Sequence, residues 1–107
     1  MIDWNQVIEL REDVGHDDFG EVVEIFLEEV EETLRGLSHG AQLEAMLHAL
    51  KGSALNLGFT HFSGLCAEGE VMAARGEGGA VNLGAIRTSY GESRRIFLAE
   101  LSDRLAA

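Results

Sequence analysis

Apolar residues recur at intervals of three and four along most of the chain, which is the pattern of amphipathic helices. The most regular stripe, in a helix predicted from about Ala41 to Leu57, consists of Leu43, Leu47, Leu50, Ala54 and Leu57. Similar repeats predict long helices over about 18–37, 60–75 and 82–105, and a short helix from residue 3 to about residue 11. No alternating strand pattern competes, so the pattern predicts an all-α protein.

Helix-capping signals agree with these boundaries. Asp3 with Gln6 and Asp18 with Glu21 have the spacing of capping boxes at two helix starts. Further capping roles are predicted at the Gly58 C′ position and at the N-cap positions Thr60 and Asn82.

The connections between the long helices are short, which implies that consecutive helices are antiparallel neighbours. We therefore predict an up-down antiparallel four-helix bundle with a short extra N-terminal helix. The length of 107 residues and a hydrophobic content of 46% fit one domain, spanning 1–107.

His48 lies well off the apolar stripe of its helix, on the outward side. Its neighbours on the helical wheel are Ala41, Ala45, Gly52 and Leu55. These residues make a small, smooth and mildly apolar patch around the histidine. We predict that Ala41, Ala45 and Leu55 contribute to the docking of a partner.

Gly52 and Lys51 set this histidine apart from an ordinary surface residue. A glycine inside a helix costs roughly 1 kcal/mol relative to alanine, so Gly52 needs a reason. It follows His48 by one turn, where any side chain is expected to crowd the imidazole. Lys51 lies beside His48 at the i+3 position, and its ammonium suits a phosphoryl oxygen.

The run His48-x-x-Lys51-Gly52-Ser53-Ala54-x-x-Leu57-Gly58 resembles the active helix of histidine phosphotransfer (HPt) domains, the four-helix-bundle carriers of multistep phosphorelays. The resemblance in helix order extends over nearly the whole chain. It implies that Nε2 of His48 accepts a phosphoryl group from a receiver aspartate or a hybrid kinase and passes it to a second receiver. Lys51 then offsets the phosphoryl charge, while Mg²⁺ comes from the receiver. The family is mostly monomeric, and no cofactor of the chain's own is expected.

The chain departs from the family pattern on the following helix. Family members often carry a glutamine that contacts the active histidine, and the matching position here is Glu70. One hypothesis is that the Glu70 carboxylate accepts a hydrogen bond from Nδ1–H and leaves Nε2 as the nucleophile. The alternative is a solvated glutamate, since a carboxylate also repels phosphate.

The charge balance and the missing motifs exclude several other functions. A formal net charge of −11 argues against nucleic-acid and anionic-membrane partners. No nucleotide-binding motif is present, so the chain is expected to be a carrier and not an enzyme. A single cysteine and the lack of an apparent signal peptide or membrane span favour the cytoplasm. Because the chain starts with Met and lacks kinase or receiver segments, we expect a free-standing protein, with a domain excised from a larger chain as the alternative.

Two other functions are alternatives to that of a phosphorelay carrier. The first is a binding module that docks on a receiver or kinase without being phosphorylated, and the intact set of His48, Lys51 and Gly52 argues against it. The second is a metal-binding bundle, but the histidines are scattered and Cys66 is alone, so three or four converging ligands are not expected.

Overall fold

The computed structural model of the protein describes residues 1–105 and is built from helices. The five α-helices, with a 3₁₀ turn at Gly78–Ala80 before the last, are α1 (Trp4–Val14), α2 (Phe19–Arg35), α3 (Leu43–Leu57), α4 (Thr60–Ala74) and α5 (Leu83–Leu105). No strand forms within the described residues, where Ile2 and Phe59 make only an isolated antiparallel bridge. The prediction of an all-α fold is therefore confirmed.

Two helix boundaries differ from the predicted ones. α1 continues to Val14, past the predicted end at about Arg11. α3 begins at Leu43 and not at Ala41, because the preceding residues form a turn in which the backbone N–H of Leu43 donates to the carbonyl of Gly40 at 3.1 Å. Ala41 therefore lies before the helix.

Three of the predicted caps are confirmed. The backbone N–H of Gln6 donates to Oδ1 of Asp3 at 3.3 Å, although Gln6 has no recorded bond back to the cap. The N–H of Ala85 donates to Oδ1 of Asn82 at 2.9 Å. Gly58 ends α3 in the left-handed conformation with φ +73°.

Two of the predicted caps are wrong. Asp18 precedes α2, but its side chain makes no capping hydrogen bond. Thr60 is the first residue of α4, and Phe59 occupies the N-cap position. The Thr60 hydroxyl instead donates to the carbonyl of Met1 at 2.8 Å, because the N-terminal segment lies against this helix start.

The core lies along the predicted stripes, and α3 and α4 make the most extensive contact of any two described elements. Leu47, Leu50 and Ala54 of α3 are almost fully buried. Leu27 and Phe59 also belong to the core, although the sequence analysis assigned them no core position. The Phe59 ring lies edge-on to Phe97 with a centroid distance of 5.4 Å, which anchors the α3–α4 connection to α5.

Polar contacts join α5 to α2. The guanidinium of Arg87 donates to the carbonyls of Leu34 at 2.9 Å and Leu37 at 2.8 Å, which satisfies backbone acceptors at the end of α2. One turn later, the Tyr90 hydroxyl donates to the carboxylate of Glu31 at 2.7 Å. Burial, reinforced by this carboxylate, raises the pKa of Tyr90, so the hydroxyl remains a donor.

The N-terminal segment closes over the α3–α4 connection at Gly58. The N–H of Asp3 donates to the carbonyl of Gly58 at 2.7 Å. A Cβ at Gly58 would lie 2.5 Å from the Asp3 carbonyl oxygen, which is closer than real Cβ contacts permit. A glycine is therefore required here by both the positive φ and the close approach of another backbone.

We predict that Gly58→Ala lowers the free energy of unfolding by about 2 kcal/mol or more, since it combines left-handed strain with a backbone clash. Urea unfolding followed by circular dichroism measures this change. Gly52→Ala is the matched control, because a Cβ at Gly52 meets no heavy atom within 4 Å. The control should gain roughly 0.5–1 kcal/mol. Equal stabilities for the two variants would contradict the packing described at Gly58.

Candidate functional site

His48 projects from the outer face of α3, as its position on the helical wheel predicts. Its side chain is 68% exposed, whereas Leu47 and Leu50 on the opposite face of the same helix are buried. The ring therefore projects from a helix whose opposite face is packed in the core. A side chain placed in this way is accessible to the reacting group of another protein.

A close approach of α4 to α3 brings a carboxylate to this histidine. Gly69 is buried in the contact, and a Cβ there would lie 3.0 Å from a methyl carbon of Leu47 and 3.1 Å from one of Val81. The absence of a side chain at Gly69 thus allows the two helices to pack tightly. The next residue, Glu70, is consequently within reach of His48 even though 22 residues separate the two in the sequence.

The Glu70 carboxylate contacts both His48 and Lys51 of α3. One oxygen, Oε2, is 2.7 Å from Nδ1 of His48, and the other, Oε1, accepts a hydrogen bond from the Lys51 ammonium at 2.7 Å. The Glu70 side chain is 19% exposed and that of Lys51 is 30% exposed. The three residues therefore form one connected polar cluster at the edge of the α3–α4 contact.

Lys51 favours the ionised form of Glu70. The hydrogen bond from Lys51 lowers the pKa of Glu70, the contact with His48 lowers it further, and partial burial opposes both. Glu70 is consequently ionised at neutral pH, and an ionised carboxylate can only accept hydrogen bonds. The proton shared with His48 must then be on Nδ1, so a neutral ring has its lone pair on Nε2.

This contact has a defined pH dependence. Because the folded-state pKa of Glu70 is depressed, the interaction is fully present above the ordinary carboxyl range. It weakens only as the pH falls through the depressed value. The Glu70 carboxylate therefore stays ionised throughout the neutral range.

Cys66 lies directly behind this cluster, one turn before Glu70 on α4. It is a free and fully buried cysteine. Burial, with a smaller contribution from the charge of Glu70, raises the pKa of the Cys66 thiol to about 12. The thiol is therefore neutral at physiological pH and serves as packing, because only the thiolate is reactive.

The expectation that any side chain at Gly52 would crowd the imidazole needs correction. Gly52 is exposed, and a Cβ there would have no heavy atom within 4 Å, including those of the His48 ring. A methyl group fits without touching the histidine. Only a longer side chain at this position would reach the space over His48.

The three predicted docking residues are all exposed, but they do not all lie on α3. Ala45 and Leu55 are on the helix, one on each side of His48 along its axis, and Leu55 is 55% exposed. Ala41 lies in the turn before Leu43. Val71 of α4, which is next to Glu70 in the chain and 49% exposed, was not among the predicted docking residues.

The ion pair between Lys51 and Glu70 was also not predicted. The sequence placed Lys51 beside His48 and matched Glu70 to the family's glutamine, but a contact between Lys51 and Glu70 depends on how closely α3 and α4 pack. Metal binding has no support in the described part of the chain, where no group of three or more His, Cys, Asp or Glu residues could hold an ion. Within residues 1–105, no helix has the length and apolar character needed to cross a bilayer.

Comparison with known proteins identifies the family. Neither the curated proteins nor the solved structures that were searched gave a match. Among models of protein families, the Hpt domain matches residues 21–107, a range that includes His48, Lys51, Gly52 and Glu70. Hpt domains exchange phosphate with receiver and kinase domains in phosphorelays, and they are phosphocarrier modules without a catalytic activity of their own. Because this match covers most of the sequence, the chain belongs to the Hpt domain family.

Proposed function

We propose that this protein is a phosphorelay carrier whose phosphorylated residue is His48. It accepts a phosphoryl group from the aspartate of a receiver domain or from a hybrid kinase, and it passes the group to the aspartate of another receiver. The observation that carries this proposal is the exposed Nε2 of His48, whose other ring nitrogen is held by Glu70 at 2.7 Å.

The chain's own residues supply the nucleophile and its orientation. Nε2 offers a lone pair toward solvent, since the Nδ1 proton is engaged by Glu70. Lys51, one turn further along α3, provides a positive charge close to the arriving phosphoryl group. We assign no cofactor to this chain and expect Mg²⁺ to be bound by the acidic site of the receiver.

The exposure of His48 also favours another protein domain as the partner. His48 stands on a convex helix surface with small residues around it, so a second surface can cover it closely. Ala41, Ala45 and Leu55 are the residues we propose for this contact. Their small or apolar side chains leave the approach to the ring open.

We further propose that α2–α5 form an up-down antiparallel four-helix bundle within a single domain. The support comes from side chains that pair the end of one helix with the start of another. Arg87, early in α5, contacts the end of α2, whereas Arg94, later in α5, donates to Glu31 at 3.1 Å. Similarly, Gly36 after α2 lies near Met46 at the start of α3.

The proposed surroundings of the protein follow from its composition and its family. We propose a monomer, because the resemblance implies one. The reducing cytoplasm is the compartment we propose, since it keeps a lone cysteine such as Cys66 in the thiol form.

A second candidate is a docking module that binds a receiver or kinase without accepting phosphate. One observation favours it: the ammonium of Lys51 is already paired with Glu70 at 2.7 Å, so its charge is partly offset before any phosphoryl group arrives. The carrier remains the better supported function because Nε2 of His48 is unobstructed.

The carrier function predicts that His48→Gln removes all phosphoryl transfer and leaves the fold intact, because the side chain is largely exposed. The test incubates each protein with phosphorylated receiver domains and follows radiolabel. Wild type should acquire an acid-labile, alkali-stable label that the variant lacks, and both should have the same circular dichroism spectrum. Binding to a receiver without any label on wild type would establish the docking module instead.

Substitutions at Gly52 should separate the effect of blocking access to His48 from the effect of stabilising the helix. Gly52→Gln should block transfer by filling the space over His48 while the fold is retained. Gly52→Ala, whose methyl group meets nothing within 4 Å, should keep most of the transfer rate. Stopped-flow transfer from a phosphorylated receiver distinguishes the two variants. Full transfer by Gly52→Gln would refute the access argument.

The orienting role of Glu70 predicts a graded loss of transfer rate. Glu70→Ala removes the hydrogen-bond acceptor of Nδ1, so the rate should fall by about tenfold. Glu70→Gln retains an acceptor oxygen, so its transfer rate should fall less. Rapid-quench measurement of transfer from a phosphorylated receiver gives both rates. If both variants transfer at the wild-type rate, Glu70 does not orient the ring.

A further inference from the structure

The hydrogen bond from His48 to Glu70 has a consequence for the phosphorylated state. The neutral ring that attacks through Nε2 already carries its proton on Nδ1. As the N–P bond forms with the Nε2 electron pair, the P–O bond of the donor aspartyl phosphate breaks and its electrons stay on the carboxylate oxygen. No proton has to move, and the product is a positively charged phosphoimidazolium ring.

The Nδ1 proton then determines how readily the phosphoryl group leaves. While the proton is present, cleavage of the N–P bond returns the electron pair to Nε2 and releases a neutral imidazole. If the proton has been lost, the leaving group is an imidazolate anion, which is a much poorer leaving group. Whatever retains this proton therefore keeps the phosphoryl group transferable.

We propose that Glu70 is a positioning residue that retains the Nδ1 proton of phosphorylated His48 and so extends the pH range in which its phosphoryl group is labile. The inference rests on the proposed function. Its basis is the 2.7 Å contact between Oε2 of Glu70 and Nδ1 of His48, made by a charged carboxylate. A glutamine at this position would accept the same hydrogen bond without a negative charge to hold the proton.

The other charged groups on α3 and α4 do not replace Glu70 in this role. Lys51 is a cation and opposes protonation of the ring, but its ammonium is bonded to the second oxygen of Glu70. Glu44, one turn before His48, is exposed to solvent, which screens its charge. Cys66 on α4 is a buried neutral thiol.

The segments packed against the other faces of α3 also carry carboxylates, but these line grooves that do not include His48. Glu29 and Glu32 of α2 line a groove along Ala49 and Ser53. Asp3, before α1, lines a groove with residues at the end of α3. His48 lines neither groove, so Glu70 is the carboxylate that contacts the ring.

The test uses the intact protein without a partner domain. Phosphoramidate, a small phosphoryl donor, is used to phosphorylate wild type and Glu70→Gln on His48, with His48→Gln as the labelling control. The loss of the phosphoryl group by hydrolysis is then followed by ³¹P NMR between pH 6 and pH 9. Glu68→Gln, at an exposed position on the same helix, controls for the loss of one negative charge.

Hydrolysis should slow as the pH rises in both proteins. The pH at which it slows should be higher in wild type than in Glu70→Gln, by up to about one pH unit. Near pH 8, the label should last about three- to tenfold longer in Glu70→Gln than in wild type. Glu68→Gln should match wild type.

Coincident pH profiles for labelled wild type and Glu70→Gln would overturn this inference and leave the carrier function standing. An equal shift in Glu68→Gln would also overturn it, since the effect would then come from net charge. Failure of wild type to take label at His48 would refute the carrier function, and this inference with it.

Discussion

The close approach of α3 and α4 at Gly69 is the constraint on which the site depends. A Cβ there would lie 3.0 Å from a methyl carbon of Leu47 and 3.1 Å from one of Val81, so these side chains would have to give way. Glu70 follows in the chain and contacts both His48 and Lys51 at 2.7 Å. The residue that contacts the histidine is thus next to one whose lack of a side chain lets α4 lie close to α3. Core packing and chemistry are coupled through one helix–helix contact.

A single carboxylate arranges both functional groups of α3. Lys51 lowers the pKa of Glu70, and an ionised Glu70 carboxylate favours a His48 proton on Nδ1. The cluster pairs Lys51 with Glu70 and leaves the other ring nitrogen of His48 on the exposed side of α3. So sparse a site suits the carrier that we propose, for which a receiver would contribute the acidic pocket and the metal ion. In our proposal, the proton on Nδ1 connects acceptance of the phosphoryl group with its later release.

The helical fold was predictable because long amphipathic repeats and short turns leave few alternatives. Asn82 and Gly58 show that local capping signals work when the cap is made within the helix end itself. Thr60 shows where they fail, since its hydroxyl bonds to Met1, a residue distant in the sequence. Phe59 was missed for a similar reason. A residue in a tight connection has no periodicity, so only the packing against α5 shows that it belongs to the core.

The part of the site that lies on one face of α3 was predictable from the sequence. His48, Gly52 and Leu55 are related by helix geometry alone, and the family resemblance pointed to Glu70. The pairing of Lys51 with Glu70 depends on the distance between two helices, which the sequence does not specify. The lack of contacts at Gly52 likewise depends on the direction of the His48 ring.

The most direct test of this account is the tautomer of His48, measured by ¹⁵N NMR of the imidazole nitrogens in the unphosphorylated protein above neutral pH. The account predicts a protonated Nδ1 and an unprotonated Nε2 in wild type, with a mixture of tautomers in Glu70→Ala. A ring protonated on Nε2 in wild type would contradict it, because the nucleophilic lone pair would then face Glu70 and not the partner.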